Sequence, residues 1–125
     1  MSKTKPTDSE LEILQILWDN GPSSVRIVND ELNTVKESGY TTTLKLMQLM
    51  TAKGLTERDT TARTHIYTPL VKESNIKSDL LQRFMHATFK GSASQLVMSA
   101  LGSNKASKTE LAEIKALITQ IEKQD

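Results

Sequence analysis

After Gly54 the hydrophobic period of this chain changes, and that change restricts the possible folds more than any other feature. Upstream lie three segments with apolar residues at helical spacing. Thr7-Asp8-Ser9-Glu10 has the capping-box spacing, with Thr7 as N-cap, and Leu11, Leu14, Leu17 and Trp18 follow as a buried stripe. Asn20-Gly21-Pro22 stops this helix. A second begins at Ser23 or Ser24, buries Val25, Val28 and Leu32, and fades before Ser38-Gly39. The third occupies the stretch between Gly39 and Gly54. Downstream, Leu55-Thr56-Glu57-Arg58-Asp59 and Thr64-His65-Ile66-Tyr67-Thr68 read as short strands, rich in Thr with Ile and Tyr. Thr60-Thr61-Ala62-Arg63 forms the hairpin tip without the Asn-Gly or Asp-Gly of the tightest turns, and Pro69 ends the second strand. Helix, helix, helix, hairpin is the order of a winged helix-turn-helix.

The rest of the chain reads as helix. Glu73 to about Phe89 carries Ile76, Leu80, Leu81, Phe84, Met85 and Phe89, and Gly91-Ser92 breaks it. Ala93, Leu96, Val97, Ala100 and Leu101 follow at helical spacing, up to a second break at Gly102-Ser103-Asn104. Ser107-Lys108-Thr109-Glu110 is another capping box, ahead of Leu111, Ile114, Leu117, Ile118 and Ile121. Three short amphipathic helices have little to pack on within one chain, and exposed separately they form large apolar patches. Burial against a second copy is the simplest remedy. The predicted fold class is mainly α with a small β-hairpin: a winged-helix DNA-binding domain over residues 6–70 and a helical dimerisation region over 71–125. The expected dimer interface is Ile76, Leu80, Leu81, Phe84, Leu96, Val97, Leu117 and Ile121.

Bulk charge does not announce a partner. The net charge is +1, residues 1–70 hold eight Lys/Arg against nine Asp/Glu, and residues 71–125 hold eight against six. Local patterning is informative instead. From Ser38 to Thr56 there is no acid, although a quarter of the chain is charged. At about 100° per residue, Thr43, Leu46, Met47 and Met50 of the third helix face a core. Thr41, Lys45, Gln48 and Ala52 lie opposite, flanked by Thr42 and Leu49 on one side and by Leu44 on the other. Such a face offers hydroxyls and an ammonium to phosphates, Gln48 to an adenine edge, and Leu44 or Leu49 to a thymine methyl. A second acid-free run lies between Asp59 and Glu73 and carries Arg63, His65 and Lys72. A winged helix presents these two elements to one side of DNA. The expected DNA contacts are Thr41, Thr42, Lys45 and Gln48 on the helix and Arg63 on the wing. The alternative is a winged-helix protein–protein interaction module whose acid-free face meets an acidic partner.

Other chemistry finds no support. The absence of cysteine excludes disulfides and thiolate sites. His65 and His86 have no carboxylate or Cys at metal-ligand spacing. No phosphate-binding loop and no acid–base or nucleophilic pair is evident, so neither a cofactor nor an enzyme activity is expected. Met-Ser-Lys-Thr-Lys-Pro has no apolar core, which predicts no signal peptide. No apolar run approaches the roughly 18 residues of a membrane span. A cytoplasmic protein is expected.

Tyr40-Thr41-Thr42-Thr43, Met50, Lys53-Gly54-Leu55, Arg63 and Tyr67-x-Pro69 together resemble the BlaI/MecI/CopY penicillinase-repressor family. Leu11-x-x-Leu14-x-x-Leu17-Trp18 and Phe89-Lys90-Gly91-Ser92-x-x-x-Leu96-Val97 extend the resemblance from about Pro6 to Ile121. It implies a homodimeric winged-helix repressor of a dyad-symmetric operator in double-stranded DNA. The recognition helix would be Thr41 to Lys53, the wing about Asp59 to Arg63, and the C-terminal helices would interlock. It also implies control by a membrane sensor-protease that cuts the C-terminal region. In the β-lactam-responsive members the cut bond joins an Asn to an aromatic residue; the matching positions here are Ser99-Ala100. The copper-responsive branch ends in a cysteine cluster, which this chain lacks.

Overall fold

A computed structural model describes residues 5–103 and 106–124. Met1–Thr4, and Asn104 in the second predicted break, lie outside them. Among the described residues, six helices and one hairpin follow in order: α1 Asp8–Asn20, α2 Val25–Asn33, α3 Tyr40–Ala52, β1 Thr56–Asp59, β2 Ile66–Pro69, α4 Glu73–Phe89, α5 Ala93–Ser103 and α6 Lys108–Lys123. The architecture is mainly α with a two-stranded antiparallel hairpin, as the periods predict. The hairpin register pairs Thr56 with Pro69 and Asp59 with Ile66. Its connecting loop is therefore residues 60–65, longer than the expected tip because Thr64 and His65 leave the ladder.

Contacts divide the chain into two compact units, one ending at Ser78 and one from Asp79 to Asp125. The division falls inside α4 rather than at residue 70. Residues 71–77 belong with α1 for a physical reason. The Trp18 indole Nε1 donates to the Val71 carbonyl at 3.1 Å, and the Gln15 amide reaches Glu73 at 3.2 Å. The Lys77 ammonium lies 6.0 Å from the centre of the Trp18 ring. Ile76, one of the expected interface residues, is half-buried in this first unit.

The core of the first unit is Ile13, Leu14, Leu17, Val25, Val28, Met47, Met50, Leu55 and Tyr67. The buried stripe of α1 is Glu10, Ile13, Leu14 and Leu17: the expected Leu14 and Leu17 belong to it, while Glu10 and Ile13 take the places expected of Leu11 and Trp18. Leu11 and Trp18 sit at its edges, half-buried. The shift escapes a hydrophobic pattern because a carboxylate occupies its first position. Glu10 is 1% exposed, yet every polar atom finds a partner. Its Oε1 accepts from the Thr7 backbone N–H at 2.9 Å, completing the capping box, and from Lys53 Nζ at 2.8 Å; Oε2 accepts from the same ammonium at 2.9 Å. Burial by itself would raise the pKa of this carboxyl, but the Lys53 and Thr7 hydrogen bonds outweigh it and hold the pKa below the ordinary 4.5.

α3 ends in a Schellman motif. The Leu55 N–H donates to Met50 O at 3.0 Å and the Gly54 N–H to Thr51 O at 3.1 Å. Gly54 has φ +84°, where a side chain would be strained. The motif buries Leu55 beside Met50 and turns the chain into β1. On the other side of the hairpin, β2 is bonded to the α1–α2 connection. Ser23 N donates to Tyr67 O at 3.1 Å and Tyr67 N to Ser23 O at 2.9 Å. One residue later Ser24 caps α2, its hydroxyl accepting from the Ile27 N–H.

In the second unit α4 buries only Met85, and α6 buries nothing among the described residues. Both capping-box hydrogen bonds are present at Ser107 and Glu110, so α6 starts where its sequence indicates.

Replacing Lys53 with Met should destabilise the fold by about 2 kcal/mol. This is less than the roughly 3–5 kcal/mol for breaking a fully enclosed pair, because the Lys53 side chain keeps 31% exposure. Because the folded-state pKa of Glu10 is depressed, its stabilisation is present above pH 4.5 and is lost as the pH falls through the folded value. Denaturant titrations between pH 7 and pH 3 should therefore show a shallower acid loss in Glu10→Gln than in the wild type. Parallel curves would remove Glu10 from the acid response.

Candidate nucleic-acid interface

The angular assignment of α3 agrees with the observed burial. Thr43, Met47 and Met50 are buried, while Thr41, Lys45, Gln48 and Ala52 are exposed along the opposite side, and Thr42 and Leu49 are exposed on its flank. The start of the helix is held by side chains of α2. Asn33 Nδ2 donates to the Ser38 carbonyl at 2.9 Å and its Oδ1 accepts from the Ser38 N–H at 3.0 Å. The Asn29 amide, oriented by its partners, donates to Thr43 Oγ1 at 2.7 Å and to the Gly39 carbonyl at 3.3 Å. Gly39, at the N-cap, supplies no side-chain cap, so the first N–H groups of α3 have none of the hydroxyl partners that close α1, α2 and α6.

The predicted contacts do not all share one place. A groove of about 370 Å³ runs between the start of α2, the start of α3 and the base of the wing. Its lining includes Ser24, Arg26, Tyr40, Leu44, Arg63, Thr64 and His65, and no acid. Arg63 therefore meets α3 on the flank carrying Leu44. Thr42 lies on the other flank, in a separate depression of about 230 Å³ with Ser9, Glu12, Lys36 and Glu37. Two carboxylates make that flank less favourable to a phosphate, although Lys36 pairs with Glu12 at 3.3 Å. Lys45 and Gln48 line neither depression and stand on the exposed ridge between them.

Arg26 is the cation that sequence reasoning missed. It is the second residue of α2, between buried Val25 and exposed Ile27. A helical wheel places it on the outer face but cannot aim it at the wing. The Ser23–Tyr67 bridge does, because it ties the base of β2 to the start of α2. At the tip, Asp59 accepts from the Thr61 N–H at 2.9 Å and from Thr61 Oγ1 at 2.7 Å. These bonds hold its carboxyl below the usual carboxylate range. Lys53, counted in the recognition helix by resemblance, is instead the C-cap of α3 and is engaged by Glu10.

Three packed helices, the third with an outward polar ridge, and a hairpin fastened to the start of the second define a winged helix-turn-helix protein. Residues 6–120 match the family model described as penicillinase repressor, and the chain belongs to that family. It is similar to the methicillin resistance regulatory protein MecI of Staphylococcus aureus (strain N315), at 24% identity over 91% of this chain and 93% of that protein. It is also similar to the penicillinase repressors of Bacillus licheniformis and Staphylococcus aureus, each at 21% identity. These alignments cover 91% and 92% of this chain and 89% and 91% of those proteins. At the level of the family the protein is a transcriptional repressor and not an enzyme. Among the described residues no three His, Cys, Asp or Glu side chains gather as a metal site requires, and no helix is long and apolar enough to cross a membrane.

The Asn33 clamp can be tested directly. Asn33→Ala removes both bonds to Ser38 and one to the Asn29 carbonyl, all exposed. It should lower stability by about 1 kcal/mol and speed amide exchange at Ser38. Unchanged exchange there would mean that the turn is held by other contacts.

Proposed function

We propose that the protein represses transcription by binding a palindromic operator in duplex DNA as a homodimer, in the cytoplasm. The observation that carries this reading is the shared acid-free groove of Arg26, Arg63 and His65 beside the exposed ridge of α3. In this reading α3 enters the major groove, and Thr41, Lys45 and Gln48 approach base edges and adjacent phosphates. Thr42, beside Glu12 and Glu37 on the far flank, makes the weakest of the expected contacts. Arg63 and Arg26 neutralise backbone phosphates on the wing side, and the uncapped start of α3 favours another.

The homodimer is supported by what the second unit leaves uncovered. Leu81, Phe84, Val97, Leu117 and Ile121 are 47–55% exposed, and Met98 is 71% exposed. Leu80 and Leu96 are half-buried. With Met85 the single buried apolar side chain among its described residues, this unit has too little core to fold against water alone. Met98, Leu101, Leu111 and Ile118 join the expected interface for the same reason. A dimer sets two α3 helices about one DNA turn apart, and the operator is then a palindrome. A membrane sensor-protease enters as an implication of the family. The matching bond, Ser99-Ala100, lies inside α5, so cutting it requires local unwinding.

Selection from a random duplex pool should return a two-fold symmetric site. The logarithm of its affinity should fall steeply with the logarithm of salt concentration, and Arg26→Ala and Arg63→Ala should each reduce that slope by about one. Lys45→Ala should weaken binding and leave the fold intact. No binding at low salt would favour a protein–protein module instead. Phe84→Asp or Leu81→Asp should yield monomers by light scattering; an unchanged dimer would place the interface elsewhere.

A further inference from the structure

α3 exposes two large apolar side chains, Tyr40 at 51% and Leu49 at 47%. Tyr40 lines the wing-side groove. Leu44, the other apolar candidate for a base contact, packs against the core and lines the same groove. Leu49 does neither. It stands one turn beyond Lys45, next to Gln48, and one turn before exposed Ala52. A single exposed leucine is ordinary on a protein surface. This one lies on the flank of the acid-free helix beside Lys45, which draws a polyanion, and from Tyr40 to Ala52 that helix contains no Arg. Guanine O6 and N7 are then left to the Lys45 ammonium, and the one apolar group on the major-groove edges, the thymine methyl, is the match for an exposed leucine.

We infer that Leu49 reads the C5-methyl group of a thymine next to the base pair met by Gln48, so that operator choice depends on a pyrimidine methyl. The inference rests on the reading of α3 as the helix in the major groove. Successive residues differ by about 100° and 1.5 Å of rise, so both side chains reach neighbouring base pairs from the same exposed side. Ala52, with only a methyl of its own, lets the duplex approach the second half of the helix.

The test uses the full-length dimer and an operator selected from a random duplex pool. Each thymine of one half-site is replaced in turn by uracil, which removes the methyl and keeps base pairing. Covering one methyl group corresponds to about a fourfold change in affinity. The wild type should lose about that factor at one position. Leu49→Ala should bind the thymine and uracil duplexes equally, with unchanged helical content by circular dichroism, and Leu49→Met should restore discrimination. If the wild type binds both duplexes equally at every position, the methyl reading falls while DNA binding stands. If Leu49→Ala retains the wild-type discrimination, another side chain reads the methyl and the assignment to Leu49 falls. If the pool yields no bound sequence, the DNA reading itself fails, and this inference with it.

Discussion

The carboxylate of Glu10 is satisfied from two directions, and the placement of the reading helix depends on that. Its bond to the Thr7 N–H starts α1, and its two bonds to Lys53 fasten the last turn of α3 to the first turn of α1. A buried carboxylate without such partners would be costly enough to take up a proton or drive the helices apart. With them, α3 cannot slide along α1 without exposing a charge to the core. At the opposite end of α3 the Asn29 and Asn33 amides hold Ser38, Gly39 and Thr43. The helix is thus fixed at both ends by polar contacts, while Thr43, Met47 and Met50 set its roll. The ridge of Thr41, Lys45 and Gln48 faces outward as a consequence, with Leu49 exposed on its flank.

The wing depends on a different device. The pairing of Ser23 with Tyr67 makes the α1–α2 connection act as a third strand, and burial of the Tyr67 ring secures it. The base of the hairpin is then held against the start of α2, which brings Arg26 and Arg63 to one groove. Both flanks of α3 inherit their electrostatics from this packing. One flank meets the cations of α2 and the wing; the other meets Glu12, Lys36 and Glu37.

Much of this was legible in the chain. Thr7 and Glu10, and Ser107 and Glu110, marked helix starts that the structure retains, and the period change after Gly54 located the hairpin. The assignment of Leu44 and Thr42 to opposite flanks of α3 needed only the angle per residue. Three features were not legible. Ile13 and Glu10 belonged to the buried stripe, but the carboxylate disguised it. Arg26 showed no pattern of its own. Lys53 looked like one more cation of the helix, because its acidic partner is 43 residues away.

The sequence by itself determined the element order, the two capping boxes, the breaks and the inward and outward faces of α3. These follow from interactions within a few residues, where spacing alone sets geometry. Only the tertiary structure decided which cations share a surface, which one is taken into an ion pair, and that residues 71–77 lie on α1. Those outcomes require segments far apart in the chain to meet, and they are settled by the demand that buried polar atoms find partners, which no local pattern encodes.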